Sequence, residues 1–186
     1  MVNAAGAWAA PLARLAGIDL PVSPLRRFVA ATEPTRILPQ DMPMTIFVED
    51  GFHLRVRDDR VLMLWPDDPL ANDPADTSIP ESWFGEIGRR SARRIPAIRA
   101  VTVDRAGSWG GLYEMSPDRH AILGASPALD NFIFSNGSSG HGVMHAPAIG
   151  QLISELILDG RASIDITPLR LSRFEEGAAI EAAEFL

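Results

Sequence analysis

The 186-residue sequence predicts an α+β fold. Three observations predict it. Apolar runs through the middle of the chain, MTIFVED, FHLRVR and VLMLW, are separated by Asp50-Gly51 and Asp58-Asp59, the pattern of antiparallel hairpins. Near the C-terminal end, a short apolar strand feeds a glycine-rich run and then the strongest helical period in the chain. Between these regions lie a loop dense in turn formers and one helix, from about Trp83 to Arg94.

Taken in order, Val2 to Ala5 reads as the end of a buried strand. A turn at Gly6 and a short helix follow, with Trp8, Leu12, Leu15 and Ala16 on the apolar face and Gly17 as its stop. Strands are expected from Val22 to Thr32 and in the hairpins between Met44 and Trp65. The stretch WPDDPLANDPADTSIPES is dense in turn formers and reads as an exposed loop, with Ser82 as the cap of a helix from about Trp83 to Arg94. That helix places Phe84, Ile87 and Ser91 on one side, and its basic end suits the negative pole of the helix dipole.

A strand from Ala100 to Arg105 comes next, and then WGGLYEMSPD, where two glycines and an aromatic pair break any simple period. Asn131 to Asn136 reads as a strand leading into a helix with Ile149, Leu152, Ile153, Leu156 and Ile157 at helical spacing, ended by Gly160. The tail from Ile164 reads as a short extended stretch before an Ala- and Glu-rich end that frays.

Composition narrows the function classes. A content of 46% hydrophobic and 22% charged residues is that of an ordinary globular protein. The formal net charge of -7 and the lack of a basic stripe argue against nucleic acid as a partner. No cysteine is present, so disulfides, thiolate catalysis and Cys-rich zinc sites are excluded, and a reducing cytoplasm is compatible. No apolar run reaches the roughly 18 to 20 residues that span a bilayer.

The chemistry concentrates in NGSSGHGVMHAP, Asn136 to Pro147. A strand, a turn of small residues and a helix let backbone N–H groups face an electron-rich ligand, and Gly137, Gly140 and Gly142 permit its close approach. Three familiar readings fail on spacing. The glycines do not match GxGxxG, and no acidic residue lies about 20 positions on after a second strand. A GxSxG elbow centred on Ser139 would need glycine where His141 stands. His141 and His145 have the spacing of a zinc half-site, but Gly142 takes the place of the glutamate and no third ligand is evident, so no metal is assigned. The residues alone leave open a turn that simply packs, with both histidines as ordinary polar or capping residues.

Three segments in order, NAAGAWAAPLARLAG, GLYEMSPDRHAILG and NGSSGHGVMHAPAIGQLISELI, resemble successive motifs of the D-amino-acid-oxidase-like FAD oxidoreductases, the group that includes glycine, sarcosine and dimethylglycine oxidising enzymes. The resemblance runs from Val2 to about Phe174 and is weakest across the hairpins and the loop after Trp65. It implies FAD as cofactor and a fold combining an antiparallel substrate-domain sheet and helices with the C-terminal part of an FAD-binding α/β domain, whose dinucleotide turn would lie upstream of Met1. On that reading residues 1–22 end the FAD-binding domain, 23–106 form the substrate-binding sheet domain, 107–165 return to the FAD-binding domain and 166–186 are a tail.

The resemblance also implies site residues. Ser138, Ser139, Gly140, His141, Gly142, Val143 and Met144 correspond to residues that wrap the isoalloxazine edge, with Ala5 and Gly6 near the cofactor. Tyr113 corresponds to a residue facing the substrate, with Trp109 and Met115 as neighbours. His53 and Arg55 alternate onto one side of their strand, where either reaches the substrate. Arg55 is the first candidate for a carboxylate partner and Arg27 the second. The catalytic candidates are His141 and Tyr113, and for His141 the role of holding the flavin edge is favoured over assisting amine deprotonation. Tyr113 and Gly140 stand where glycine-oxidising members place carboxylate-binding arginines, so a secondary or tertiary amine suits the site as well as an amino acid. The absence of cysteine removes a thiol-linked flavin. The expected activity is oxidation of a C–N bond by hydride transfer to FAD. Its alternative is a non-catalytic fragment or subunit that needs a partner carrying the nucleotide-binding half.

Overall fold

The computed structural model describes residues 1–66 and 73–181. Its strands are β1 (Val2–Asn3), β2 (Ser23–Thr32), β3 (Thr45–Ile46), β4 (His53–Arg57), β5 (Arg60–Leu64), β6 (Val103–Met115), β7 (Ile122–Ala125) and β8 (Ile133–Asn136). Its main helices are α1 (Ala9–Leu15), α2 (Glu81–Arg94) and α3 (Gly142–Asp159). Short 3₁₀ turns cover Gly6–Trp8, Pro96–Ala100, Thr167–Leu169 and Leu171–Arg173. The architecture is α+β, with a three-stranded sheet ordered β1-β8-β7 and a five-stranded sheet ordered β3-β4-β5-β2-β6. Among the described residues, no helix is long and apolar enough to cross a membrane. The chain divides into two compact units, one holding residues 1–25, 73–74 and 113–181 and the other residues 26–66 and 75–112.

In the first unit β1 runs parallel to β8, with Val2 opposite Ile133 and Asn3 opposite Phe134, and β7 runs antiparallel to β8. The core is Ala9, Ala13, Ile18, Leu20, Val22, Ile122, Phe132 and Phe134. The buried face of α1 is therefore Ala9 and Ala13, whereas Trp8 and Leu15, expected inside, are exposed. The cause is local. A 3₁₀ turn over Gly6–Trp8 resets the phase of the helix, and the Asn3 side chain donates from Nδ2 to the Ala9 carbonyl at 3.0 Å, drawing the alanine face inward.

Helix α3 buries Leu152 and Ile153, leaves Ile157 exposed, and ends at Gly160 in the left-handed conformation. The tail is not the extended stretch expected. It forms two 3₁₀ turns fixed by Arg173, which is fully buried and donates from Nε and Nη2 to the two oxygens of Asp118, each at 2.8 Å. The Ala- and Glu-rich end expected to fray lies partly in 182–186, outside the described residues.

The second unit is built on the β4–β5 hairpin, whose turn residues Asp58 and Asp59 have φ of 52° and 56°. Positive φ at both positions matches the right-handed twist of paired strands. One sheet face carries Phe28, Ala30, Leu54, Val61 and Met63 against Trp83 and Ile87 of α2. Helix α2 starts at Glu81 after Pro80, so Ser82 lies inside it and does not cap it. Its buried stripe is Trp83, Ile87 and Ser91, with the Trp83 ring edge-on to Phe28 at 5.2 Å, while Phe84 is only partly buried.

Most of the segment expected to be irregular, Trp109 to Met115, is instead the C-terminal half of β6, a 13-residue strand, and only Ser116 to Asp118 lie outside it. Its glycines do not break the strand. At Gly110 a side chain would collide with the Thr77 carbonyl oxygen, so glycine is the residue that lets the two backbones approach.

Candidate functional site

Ligands of sheets with parallel strands collect outside the carboxyl ends of those strands. At the carboxyl ends of β1 and β8 stand two turns, Ala4–Trp8 and Gly137–His141. The second is held in an unusual backbone conformation, with Gly137 at φ 69°, Ser139 at 51° and Gly140 at 92°. Left-handed residues at this density persist only where surrounding bonds over-determine them. Here Ser139 N–H donates to the Glu114 carbonyl at 3.0 Å, its Oγ donates to the Gly137 carbonyl at 3.0 Å, and Ser116 N–H donates to that Oγ at 3.1 Å. Ser138 N–H reaches Glu114 Oε1 at 3.3 Å, and Met115 bridges Ser138 at the end of β6.

The turn delivers the chain into α3, which is preceded by His141 with no side-chain cap bond and has no acidic residue in its first turn. The leading N–H groups, from Gly142, Val143 and Met144, have no carbonyl partner within the helix. They form a concentrated positive end that favours an electron-rich group. Val143 is 85% exposed and Met144 63%. The His141 and His145 rings stack at 6.2 Å, and no group of three metal-ligating side chains occurs among the described residues.

Tyr113 completes this part of the site. A Cβ added at Gly140 would lie 2.8 Å from its ring, so the ring rests on the Gly140 backbone. Ala5 precedes the 3₁₀ turn and donates from its N–H to Asn3 Oδ1 at 3.2 Å, while Gly6 is at φ 56°. The structure thus brings together, in one unit, Ala5, Gly6, Tyr113 and Ser138 to Met144 of the sequence candidates. A cavity of about 380 Å³ opens beside them, lined by His120, Leu123, Ser138, His141, His145 and Leu152 among others.

The remaining candidates belong to the second unit. Strand register places His53 opposite Leu64, itself opposite Val29, and places Arg55 opposite Leu62, itself opposite Ala31. Alternation puts Arg27 on this same face, away from α2. His53 Nδ1 is 2.9 Å from the Gly51 carbonyl, which requires a proton on Nδ1 and leaves Nε2 of a neutral ring as an acceptor. Arg55 is exposed, and its side chain makes no hydrogen bond or ion pair among the described residues. Trp109 on β6 is also exposed.

Parallel strands ending in a left-handed turn and an uncapped helix start offer a helix N-terminus to an electron-rich ligand. Comparison with known proteins gives the family. The profile described as DAO, FAD dependent oxidoreductase, matches residues 1–156, and the chain belongs to that family. The family is one of FAD-dependent oxidoreductases.

Among curated relatives, FAD-dependent oxidoreductase domain-containing protein 1 of Bos taurus is 30% identical over 193 residues, covering 95% of this chain and 39% of that protein. Among solved structures, L-proline dehydrogenase from P. horikoshii superimposes with a TM-score of 0.83 at 27% identity, covering 98% of this chain and 48% of that one. Glycine oxidase from Geobacillus kaustophilus, at 22% identity with a TM-score of 0.79, shares the fold and covers 92% of this chain and 45% of that one. The chain spans about two fifths of the curated relatives' length.

The profile match corrects two expectations. The chain was expected to be a C-terminal portion lacking the dinucleotide-binding motif, and its fold to include only the C-terminal part of an FAD-binding domain. The match instead starts at residue 1 and takes in both sheets and α1, α2 and most of α3. One short glycine motif is a small part of a family's pattern, and the match extends over residues 1–156 without it.

The residues present fit a flavin. The start of α3 supplies N–H donors unpaired within the helix, and Asn136 Oδ1 and Glu114 Oε2 are buried acceptors with no donor, while Gly140 and Gly142 let Tyr113 and Ser138 pack against the turn. The sequence reading missed Asn3, Asn136 and Glu114. A signal was available for the first two, since each asparagine ends an apolar strand and opens a run of small residues, NAAG and NGSSG.

Proposed function

We propose that the protein acts in the FAD-dependent oxidation of the C–N bond of an amino acid or of a secondary or tertiary amine. The observation that carries this reading is the uncapped start of α3 behind the left-handed turn at the carboxyl ends of β1 and β8. FAD, when bound, accepts the hydride from the carbon beside the amine nitrogen.

The protein's own part is orientation and electrostatics. N–H groups of residues 142–144 face the edge where negative charge develops, and such preorganised donors need no rearrangement at the moment of reaction. His141 holds that edge, Ser138 and Ser139 fix the turn behind it, and Gly140 and Gly142 let Tyr113 and Ser138 pack against the turn's backbone. The Tyr113 ring, resting on Gly140, walls the substrate side. Arg55 is the first candidate to pair a substrate carboxylate, with His53, Arg27 and Trp109 as the further substrate-binding candidates. The names of L-proline dehydrogenase and glycine oxidase both point to amines that carry a carboxylate, which supports a carboxylate-bearing substrate here.

The test is anaerobic mixing of the FAD-loaded protein with a panel of proline, glycine, N-methyl amino acids and simple amines, followed by the visible flavin absorbance. Bleaching by at least one carboxylate-bearing amine is expected, and no bleaching by any of them refutes the reading. Arg55→Ala is expected to raise KM for such a substrate about tenfold or more with kcat little changed, the signature of lost ground-state pairing. An unchanged KM removes Arg55 from the site.

A further inference from the structure

Asn3 and Asn136 are both completely buried polar side chains, and the chemistry proposed above uses neither. They end the two adjacent parallel strands, and each opens one of the two turns described above. Their hydrogen bonds form a directed chain. Asn3 Nδ2 donates to the Ala9 carbonyl at 3.0 Å, and Asn3 Oδ1 accepts from Ala5 N–H at 3.2 Å. These two bonds leave the Asn3 amide a single orientation, with its oxygen toward β8. Asn136 must then present its Nδ2, which lies 3.4 Å from Asn3 Oδ1. The opposite flip would set two acceptors against each other.

We infer that Asn3 and Asn136 are positioning residues: a buried amide clasp that sets the turn after β1 and the turn after β8 relative to each other, so that both present their backbones to one ligand. Three points favour this over simple packing. A buried pair of primary amides in an apolar core is costly unless its polarity is used. The clasp reaches the backbone on the β1 side at two points, Ala5 and Ala9, which bracket the 3₁₀ turn containing Gly6. On the β8 side Asn136 immediately precedes Gly137, the first left-handed residue of the other turn. The orientation forced on Asn136 also leaves its Oδ1 buried with no donor. The clasp does not touch reacting atoms, and its consequence for flavin binding rests on the function proposed above.

Amide hydrogen exchange on the full chain, without and with added FAD, tests the clasp in Asn3→Ala, Asn136→Ala and the double variant. Each single substitution is expected to lower protection about tenfold in the turn of the other strand: residues 137–142 for Asn3→Ala and 5–8 for Asn136→Ala. Protection in the β4–β5 hairpin should be unchanged, and the double variant should be no worse than the worse single. Loss confined to the substituted strand's own turn, or effects that multiply in the double variant, overturns the inference.

Asn136→Asp keeps the shape and serves if the alanine variants do not fold. Its carboxylate opposes Asn3 Oδ1, whereas the protonated acid donates to it, so protection at 5–8 should return on acidification. No return overturns the inference. With FAD present, affinity should fall about tenfold in each single variant and no further in the double. A wild-type chain that takes up no FAD refutes the proposed function, while exchange without FAD still decides the clasp.

Discussion

At the scale of single residues, the strongest polar feature of the first unit lies away from the turn, at Asp118 and Arg173. Burial by itself raises the Asp118 carboxyl pKa, but hydrogen bonds from Arg173, from the backbone N–H groups of Ile180 and His120, and the Arg173 charge outweigh it and hold the group well below the usual carboxylate range. The folded state therefore favours the ionised form. The stability this contributes is complete above the unfolded value of about 3.9 and is lost as pH falls below it. Arg173→Met leaves a buried carboxylate without its cation and is expected to cost about 3–5 kcal/mol in urea unfolding at neutral pH. Asp118→Asn should flatten the acid limb of stability against pH, and a limb as steep as in the wild type contradicts this assignment. Gly140 is the second test at this scale. Its φ of 92° and the Tyr113 ring both exclude a side chain, so Gly140→Ala should cost about 1–3 kcal/mol. Adding Tyr113→Ala should recover the steric part but not the backbone part, and no recovery means the ring is not the obstacle.

Among the elements, the β4–β5 hairpin is the one whose turn chemistry can be improved. Asp58 and Asp59 both occupy the left-handed region, and aspartate tolerates it less well than glycine. Asp59→Gly should add about 0.5–1 kcal/mol in urea unfolding, with the backbone bond from Thr35 N–H to the residue 59 carbonyl retained; a loss of stability contradicts the turn assignment. This hairpin was legible in the sequence because its period of two and its turn are both local. The long helical period ending at Gly160 was legible for the same reason. What was not legible depended on specific side-chain and backbone partners that no repeating pattern announces. The phase of α1 is set by Asn3 and a 3₁₀ turn, so small alanines face inward in place of Trp8 and Leu15. The continuation of β6 through Gly110 depends on the Thr77 carbonyl, and the fixed tail depends on a partner 55 residues away, Asp118. Strand β7 is only four residues long and carries no period of its own.

For the molecule as a whole, the glycine-rich run was found from small residues between a strand and a helix, and the structure places it at the carboxyl ends of parallel strands with the helix start uncapped. Three motifs in order located the family correctly, whereas the extent of the match within the chain did not follow from one missing glycine pattern. Asn3 and Asn136 lie 133 positions apart, and only the fold shows them to be partners. The central claim is that the turn from Gly137 to His141 and the start of α3 form the flavin-facing edge. Its most direct test is amide hydrogen exchange across the wild-type chain as FAD is titrated, with flavin absorbance recorded in parallel. The account predicts a saturable change in flavin absorbance accompanied by protection concentrated at residues 137–144 and 5–8. Protection elsewhere with none at 137–144, or no change in either signal at saturating FAD, contradicts it.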